Sequence, residues 1–258
     1  MSGGVSPAPD SSMKATLRTA LSVGGVALWV LALVPPMASW ASRYEFVQVI
    51  QFSIAAFVAP VLVTVGAPWS TLGWSSSSSP RWLDRIATAR LTEHHQQRAA
   101  YVAVPFVIVS VVARIAPVVN FVAPRWWASV LQAVVLSGLG VALFTELVES
   151  PPLSPRASRP YRIGVSAVVM WSAWIVAYLE GMSRVTWYGY FTHVTGRSLS
   201  LAADQQLVAA MTWFMTAVVF LPIVFSNLMK WLSSGNDEKE ELAKLIREER
   251  HRGFFGSD

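Results

Sequence analysis

"SLSLAADQQLVAAMTWFMTAVVF" occupies residues 198–220. An acid and two amides, Asp204, Gln205 and Gln206, stand at the mouth of a run that stays uncharged until Lys230. Such a run exceeds the roughly 20 apolar residues that cross a bilayer. The whole chain agrees with that reading. Its 258 residues are 53% apolar and only 14% charged, and its mean hydropathy is +0.45. A soluble domain carries about 25% charged residues. The strands of a transmembrane barrel alternate over about 10 residues, whereas these runs are longer and unbroken. The fold class read from the sequence is therefore all-α, a polytopic transmembrane helical bundle. Its polar groups sit in a solvent of membrane lipid. The chain has no Cys, which excludes disulfides and thiolate chemistry.

Six spans are expected, at about residues 19–40, 46–68, 99–122, 127–148, 163–182 and 203–229. Lys and Arg set their direction. Lys14 and Arg18 precede the first span, and Arg81, Arg85, Arg90 and Arg98 fall in the 69–98 loop. Arg156, Arg159 and Arg162 fall in the 149–162 loop, and Lys230, Lys239, Lys244, Arg247, Arg250 and Arg252 in the carboxyl tail. Those are 15 of the 20 basic residues, all on one side of a six-span arrangement. Arg43, Arg114, Arg125, Arg184 and Arg197 remain for the other side. This bias predicts both termini in the cytoplasm of a bacterial inner membrane. It also accounts for the net charge of +5 without a nucleic-acid partner. Trp40, Trp126, Trp127 and Trp187 are expected at outer ends, and Trp69, Trp74 and Trp231 at inner ends, the depths that amphipathic rings prefer. One alternative stays open for the first span. Lys14 and Arg18, an apolar run and "SWA" at 39–41 also fit a cleaved signal peptide.

The expected organisation has three parts. Residues 1–18 form a disordered cytoplasmic tail, 19–229 the six-span domain, and 230–258 a cytoplasmic amphipathic helical tail. In that tail Asn236 or Asp237 can cap a new helix and Gly253 can end it. Residues 82–98, with Trp82, Leu83 and Ile86 toward lipid, read as a short surface helix.

Polar side chains inside a membrane are costly and tend to mark function. Here they gather toward the outer leaflet. Gln48 and Gln51 open the second span, and Arg114 lies inside the third with Asn120 above it. Gln132 lies in the outer half of the fourth, Glu180 closes the fifth, and Asp204, Gln205 and Gln206 open the sixth. A buried Arg needs a counter-charge, and Glu180 and Asp204 both lie at a compatible depth for Arg114. The same residues also admit a purely structural reading, since Asp204 suits the positive end of a helix dipole and amides join helices by hydrogen bonds. Met211 and Met215 share a helical face below Asp204, with Met37 and Met182 at other outer ends. Thioethers can hold Cu(I), although Met at helical spacing is commonly packing. At the inner side, Glu146 and Glu149 end the fourth span, where loop arginines such as Arg156 or Arg159 are the expected partners.

Four stretches carry a resemblance. "VAPVLVTVGAPW" (58–69), "SVVARIAPVVNFV" (110–122), "LQAVVLSGLGVALF" (131–144) and "ADQQLVAAMTW" (203–213) resemble the CtaG-type cytochrome c oxidase assembly proteins, over most of residues 40–230. The resemblance implies an inner-membrane protein linked to building the copper centre of a terminal oxidase. It also marks a departure. Where that family's pattern carries membrane histidines, this chain has Gln48 and Phe52, Arg114 or Ile115, and Trp127 and Leu131. Its histidines are His94, His95, His193 and His251, and only His193 is expected on the outer side. No metal site and no bound cofactor are therefore expected. Three functions compete: a non-enzymatic assembly or accessory protein acting by protein contact with an oxidase; copper delivery through Met37, Met182, Met211 and Met215 with outer polar groups; and a small-solute transporter using Arg114, Glu180 and Asp204. No nucleophile–base pair, metal triad or phosphate loop points to an enzyme.

Overall fold

The computed structural model describes residues 9–71, 97–151, 153 and 155–254, with side chains over 15–69, 97–151, 153 and 155–234. Ten helices follow among the described residues: α1 Pro9–Leu33, α2 Met37–Ala41, α3 Glu45–Gly66, α4 Pro68–Thr71, α5 Arg98–Val112, α6 Ala116–Val122, α7 Trp126–Leu147, α8 Arg159–Met182, α9 Gly189–Thr192 and α10 Leu201–Phe254. No strand occurs among them. Five helices are long and apolar enough to cross a membrane, and α5 with α6 makes a sixth if the bent pair is one span. We call the end where α3, α7 and α10 begin the upper end.

The third span departs from the straight helix expected at 99–122. It bends by 73° between α5 and α6. Pro117, in the first turn of α6, has no N–H to offer the Ala113 carbonyl, and its ring disfavours helical geometry just before it. The helix therefore stops at residues 113–115 and restarts at Ala116. Arg114 lies in this break.

A second proline shapes α3. Pro60 has no N–H to return to Ala56, and one wide π turn covers Ile54–Val58 ahead of it. The Ala55 carbonyl freed by that turn accepts a hydrogen bond from Ser137 of α7 at 2.8 Å. Beside it Gly140 lets the two helices touch. A Cβ there would lie 2.7 Å from the Ala56 carbonyl oxygen and 2.8 Å from Pro60 Cγ. Helix α3 is thus the centre of the bundle, with 67% of its most apolar window buried against 17% for α1. Helix α1 lies on it through small residues: Gly66 faces Ser22 and Gly25 faces the Ala59 carbonyl. Phe57 on α3 is the hub of the core. Its ring lies 5.8 Å from Phe52, 5.9 Å from Phe106 of α5 and 5.8 Å from Phe220 of α10. Helices α8 and α10 run together, joined by Trp174 stacked on Trp213 at 4.3 Å.

Several boundaries shift from the sequence reading. The first helix starts at Pro9, inside the stretch expected to be disordered, and ends at Leu33 before Pro35 and Pro36. No second helix starts at Asn236 or Asp237, because α10 runs unbroken from Leu201 to Phe254 and passes Gly253. Ser233, Ser234, Gly235 and Asn236 are weak helix formers, yet each costs only about 1 kcal/mol or less in a helix and none breaks the ladder as proline does. The candidate surface helix from residue 82, with His94 and His95, lies outside the described residues except at Gln97 and at Arg98, which begins α5. At the lower end Glu146 pairs with Arg98 at 3.1 Å and Glu149 with Lys230 at 3.1 Å, rather than with Arg156 or Arg159. Arg159 instead donates to the Lys230 carbonyl at 2.6 Å. Trp69 is buried beneath the Ser150 carbonyl, while Trp40, Trp126, Trp127 and Trp231 are exposed.

The contact at Gly140 yields a paired prediction. Gly140→Leu should cost about 1–3 kcal/mol by overpacking against main chain that cannot yield. Gly138→Ala, two residues away with open space around its Cβ position, should be neutral or stabilise by about 0.5–1 kcal/mol. Thermal melts of both variants in detergent check the difference.

Candidate functional site: a closed ion-pair cluster at the upper end

The break at residues 113–115 leaves main-chain carbonyls without helical partners, and an unpaired carbonyl in hydrocarbon costs several kcal/mol. Two side chains from other elements take them. Gln132 of α7 reaches the Ala113 carbonyl at 3.4 Å. The Tyr188 hydroxyl, on the loop between α8 and α9, lies 2.8 Å from the Arg114 carbonyl. The same hydroxyl contacts Oε1 of Glu180. Burial pushes the Tyr188 phenol well above its ordinary pKa, so it serves as a neutral donor shared between the two oxygens.

Arg114 itself turns to Glu180. One guanidinium nitrogen lies 2.8 Å and 2.9 Å from the two carboxylate oxygens. Arg114 is 5% exposed and Glu180 0%. The guanidinium is flanked by two rings, Phe52 at 5.8 Å and Tyr188 at 5.5 Å. Glu180 is two residues from the end of α8, where the helix dipole disfavours an acid; the Arg114 charge offsets this. The Gln205 amide closes the same helix end by donating to the main-chain carbonyls of Glu180 at 2.7 Å and Ser183 at 3.2 Å.

Asp204 takes a different role. Its carboxylate accepts the first N–H groups of α3, from Glu45 at 2.9 Å and Phe46 at 3.0 Å. Tyr44, at the N-cap position of α3, makes no side-chain cap, so α10 supplies the cap across space. Arg197, on the loop just before α10, pairs with Asp204 and also donates to the Phe191 carbonyl at 2.9 Å. Helix α10 carries its own cap, since Ser200 Oγ accepts the Ala203 N–H at 3.2 Å. Of the two acids open to Arg114 in the sequence, the structure assigns Glu180, and Asp204 goes to Arg197.

The other sequence candidates divide by place. Asn120 accepts the Tyr190 N–H at 3.0 Å and fixes α9 over α6. Gln51 ties α3 to the end of α1 by donating to the Ala32 carbonyl at 2.7 Å. Gln48 is buried, with its Oε1 unpartnered. Gln206 is exposed and lines a shallow cavity with Met182 and Arg184, apart from the ion pairs. Met211 and Met215 are half-buried on α10, Met37 is half-buried on α2 and Met182 is exposed. His193 is exposed on the upper loop.

Three members of the cluster escaped the sequence reading. Nothing in the sequence set Tyr188 apart, and Arg197 served only in the count of basic residues. Glu45 is fully buried, and neither carboxylate oxygen has a partner. An acid opening an apolar run, in "SRYEFVQV", was the signal available for it.

None of the positions where the resemblance places histidines carries one in this chain. Of the positions where the resemblance places histidines, Gln48 and Phe52 turn inward, while Trp127 and Leu131 are 49% and 58% exposed on the bundle surface. Among the described residues no group of three His, Asp or Glu side chains is placed to hold a metal ion.

Comparison with known proteins adds one finding. The model of a family described as cytochrome c oxidase caa3 assembly factor matches residues 6–234, so the chain belongs to that family. No curated protein and no solved structure matches.

The pair at the break generates the second prediction. Arg114→Ala and Glu180→Ala should each destabilise by about 3–5 kcal/mol, because each strands a buried charge. The double variant should lose clearly less than the sum. Denaturation of the four proteins in the same detergent measures the coupling, and additive losses would contradict a pair.

Proposed function

We propose, for this member of the caa3 assembly factor family, a non-catalytic role: it holds a subunit of a terminal oxidase by helix contact in the membrane, carrying no copper of its own. The observation that carries this reading is that, Glu45 apart, the buried charges of the cluster are spent on one another. Arg114 faces Glu180 and Arg197 faces Asp204. The cavity beside Arg114 is about 20 Å³, room for about one water. A transporter needs a solute site reached from both sides, and this cluster offers no such volume. It acts instead as a polar clasp that fixes helix ends. What remains for a partner is the bundle's flank. On α8, Trp171, Ile175 and Tyr178 are exposed one after another along the helix, and large aromatic anchors of this kind dominate contact energies.

In this reading both termini lie in the cytoplasm and the ion-pair cluster faces outward. The distribution of Lys and Arg supports that orientation.

Two measurements test the proposal. Mild-detergent purification followed by mass spectrometry and elemental analysis should recover oxidase subunits with far less than one copper per chain. One copper per chain that disappears when Met211 and Met215 are replaced would favour delivery of the metal by this protein. For the orientation, single cysteines at positions 75, 193 and 240 can be tagged in intact cells, since the natural chain has none. Position 193 should react with an impermeant reagent, and positions 75 and 240 only after lysis.

A further inference from the structure

Glu45 opens α3 at the upper end, beside both ion pairs. It is fully buried, and neither carboxylate oxygen meets a donor. Charged groups act on it from the neighbouring elements: Arg197 and Asp204 at the start of α10, Arg114 in the break of the third span, and Glu180 near the end of α8. The Tyr188 hydroxyl is close enough to interact as well. Both guanidinium groups are already engaged, Arg114 with Glu180 and Arg197 with Asp204. Their Nε–H groups are buried without a partner, yet neither forms a hydrogen bond to Glu45. Three acids therefore stand against two arginines, and Glu45 is the acid left over.

A second unsatisfied acceptor belongs to the same helix. Gln48, three residues further along α3 and more than nine-tenths buried, has its Oε1 enclosed without a donor. Residues three apart are neighbours on a helix face. The start of α3 thus encloses two oxygens of Glu45 and one of Gln48 with no proton supplied to any of them. An ionised carboxylate enclosed without a partner is so costly that such a group neutralises instead. The neutral acid gains an O–H donor and keeps acceptor capacity, and Gln48 Oε1 is the enclosed acceptor next along the helix.

We propose that Glu45 is a proton-binding site, held in the folded protein as a neutral acid that donates to Gln48. One proton then gives the Gln48 oxygen its donor and leaves two carboxylates for two arginines. Releasing it places a third negative charge beside Asp204, whose carboxylate accepts the Glu45 N–H at 2.9 Å and so caps α3. Proton occupancy is thereby tied to the clasp between α3 and α10. The assignment stands apart from the proposed assembly role.

Infrared spectroscopy of the full chain in dodecyl maltoside, which has no carbonyl of its own, tests this. About pH 6 lies more than a unit above the ordinary Glu value of about 4.3, so solvated carboxyls are ionised there. The wild-type spectrum should still carry the carbonyl stretch of one un-ionised carboxylic acid. Glu45→Gln should lose that band and stay folded, since a neutral amide replaces a neutral acid of the same shape. Gln48→Leu should keep the band and move it to higher wavenumber, because the O–H loses its acceptor; this shift decides the matter if Glu45→Gln fails to fold. Unfolding gives up the proton above the ordinary Glu value, so stability falls as pH rises. Between about pH 5.5 and about pH 7 the unfolding constant of the wild type should rise about tenfold per pH unit relative to Glu45→Gln. A wild-type spectrum without the band, a band that persists in Glu45→Gln or does not move in Gln48→Leu, or unfolding constants that run parallel with pH would overturn the proposal.

Discussion

A guanidinium in the middle of an apolar bundle must meet a carboxylate, and the upper half of this protein is arranged around that requirement. Arg114 stands in the break that Pro117 makes in the third span, and from there it meets Glu180. The break turns the main chain by 73° and frees carbonyls at Ala113 and Arg114, which Gln132 and Tyr188 then satisfy. Gln132 and Tyr188 thus answer vacancies that the break opens, while Glu45 and the Nε atoms of Arg114 and Arg197 stay buried without a hydrogen-bond partner.

The second ion pair has a structural logic of its own. Asp204 caps α3 from α10, and Arg197 keeps that carboxylate oriented. Gln205, the next residue, closes the end of α8. One turn of α10 therefore pins two other helices at their ends. Helix ends carry the unsatisfied groups of the backbone, and in a membrane they are the natural places for polar fasteners. The acid–amide triplet at the mouth of the last span is explained up to Gln205 by this fastening. Gln206 points away from it, into a separate cavity. Glu45 stands as the one fully buried acid of the cluster whose oxygens meet no donor.

Much of the fold was legible in the chain because hydropathy is a local sum. A helix in lipid satisfies its own backbone, so a run of about 20 apolar residues specifies a span without reference to the rest of the protein. The charge argument was equally local: a buried Arg demands an acid, and the acids near its depth were Glu180 and Asp204. The long α10 shows the limit of such reasoning. A polar, charged segment after an apolar one reads as a new element, yet the weak helix formers at Ser233–Asn236 together do not stop the backbone ladder.

Choice among partners belongs to the tertiary structure. Which acid Arg114 meets depends on how α5 and α8 rotate about their axes and on the direction in which the break aims the side chain, and neither quantity is written in a hydropathy profile. The same holds for Tyr188, Arg197 and Glu45, which only the folding of the loop over the bundle brings together. It holds also for the positions where the resemblance places histidines, where packing turns Gln48 and Phe52 inward and leaves Trp127 and Leu131 exposed. The sequence by itself determined that the chain is a helical bundle in a membrane with a charge that must be neutralised. The three-dimensional packing decided which side chains neutralise it, because that is a matter of distance and orientation between helices remote in the chain.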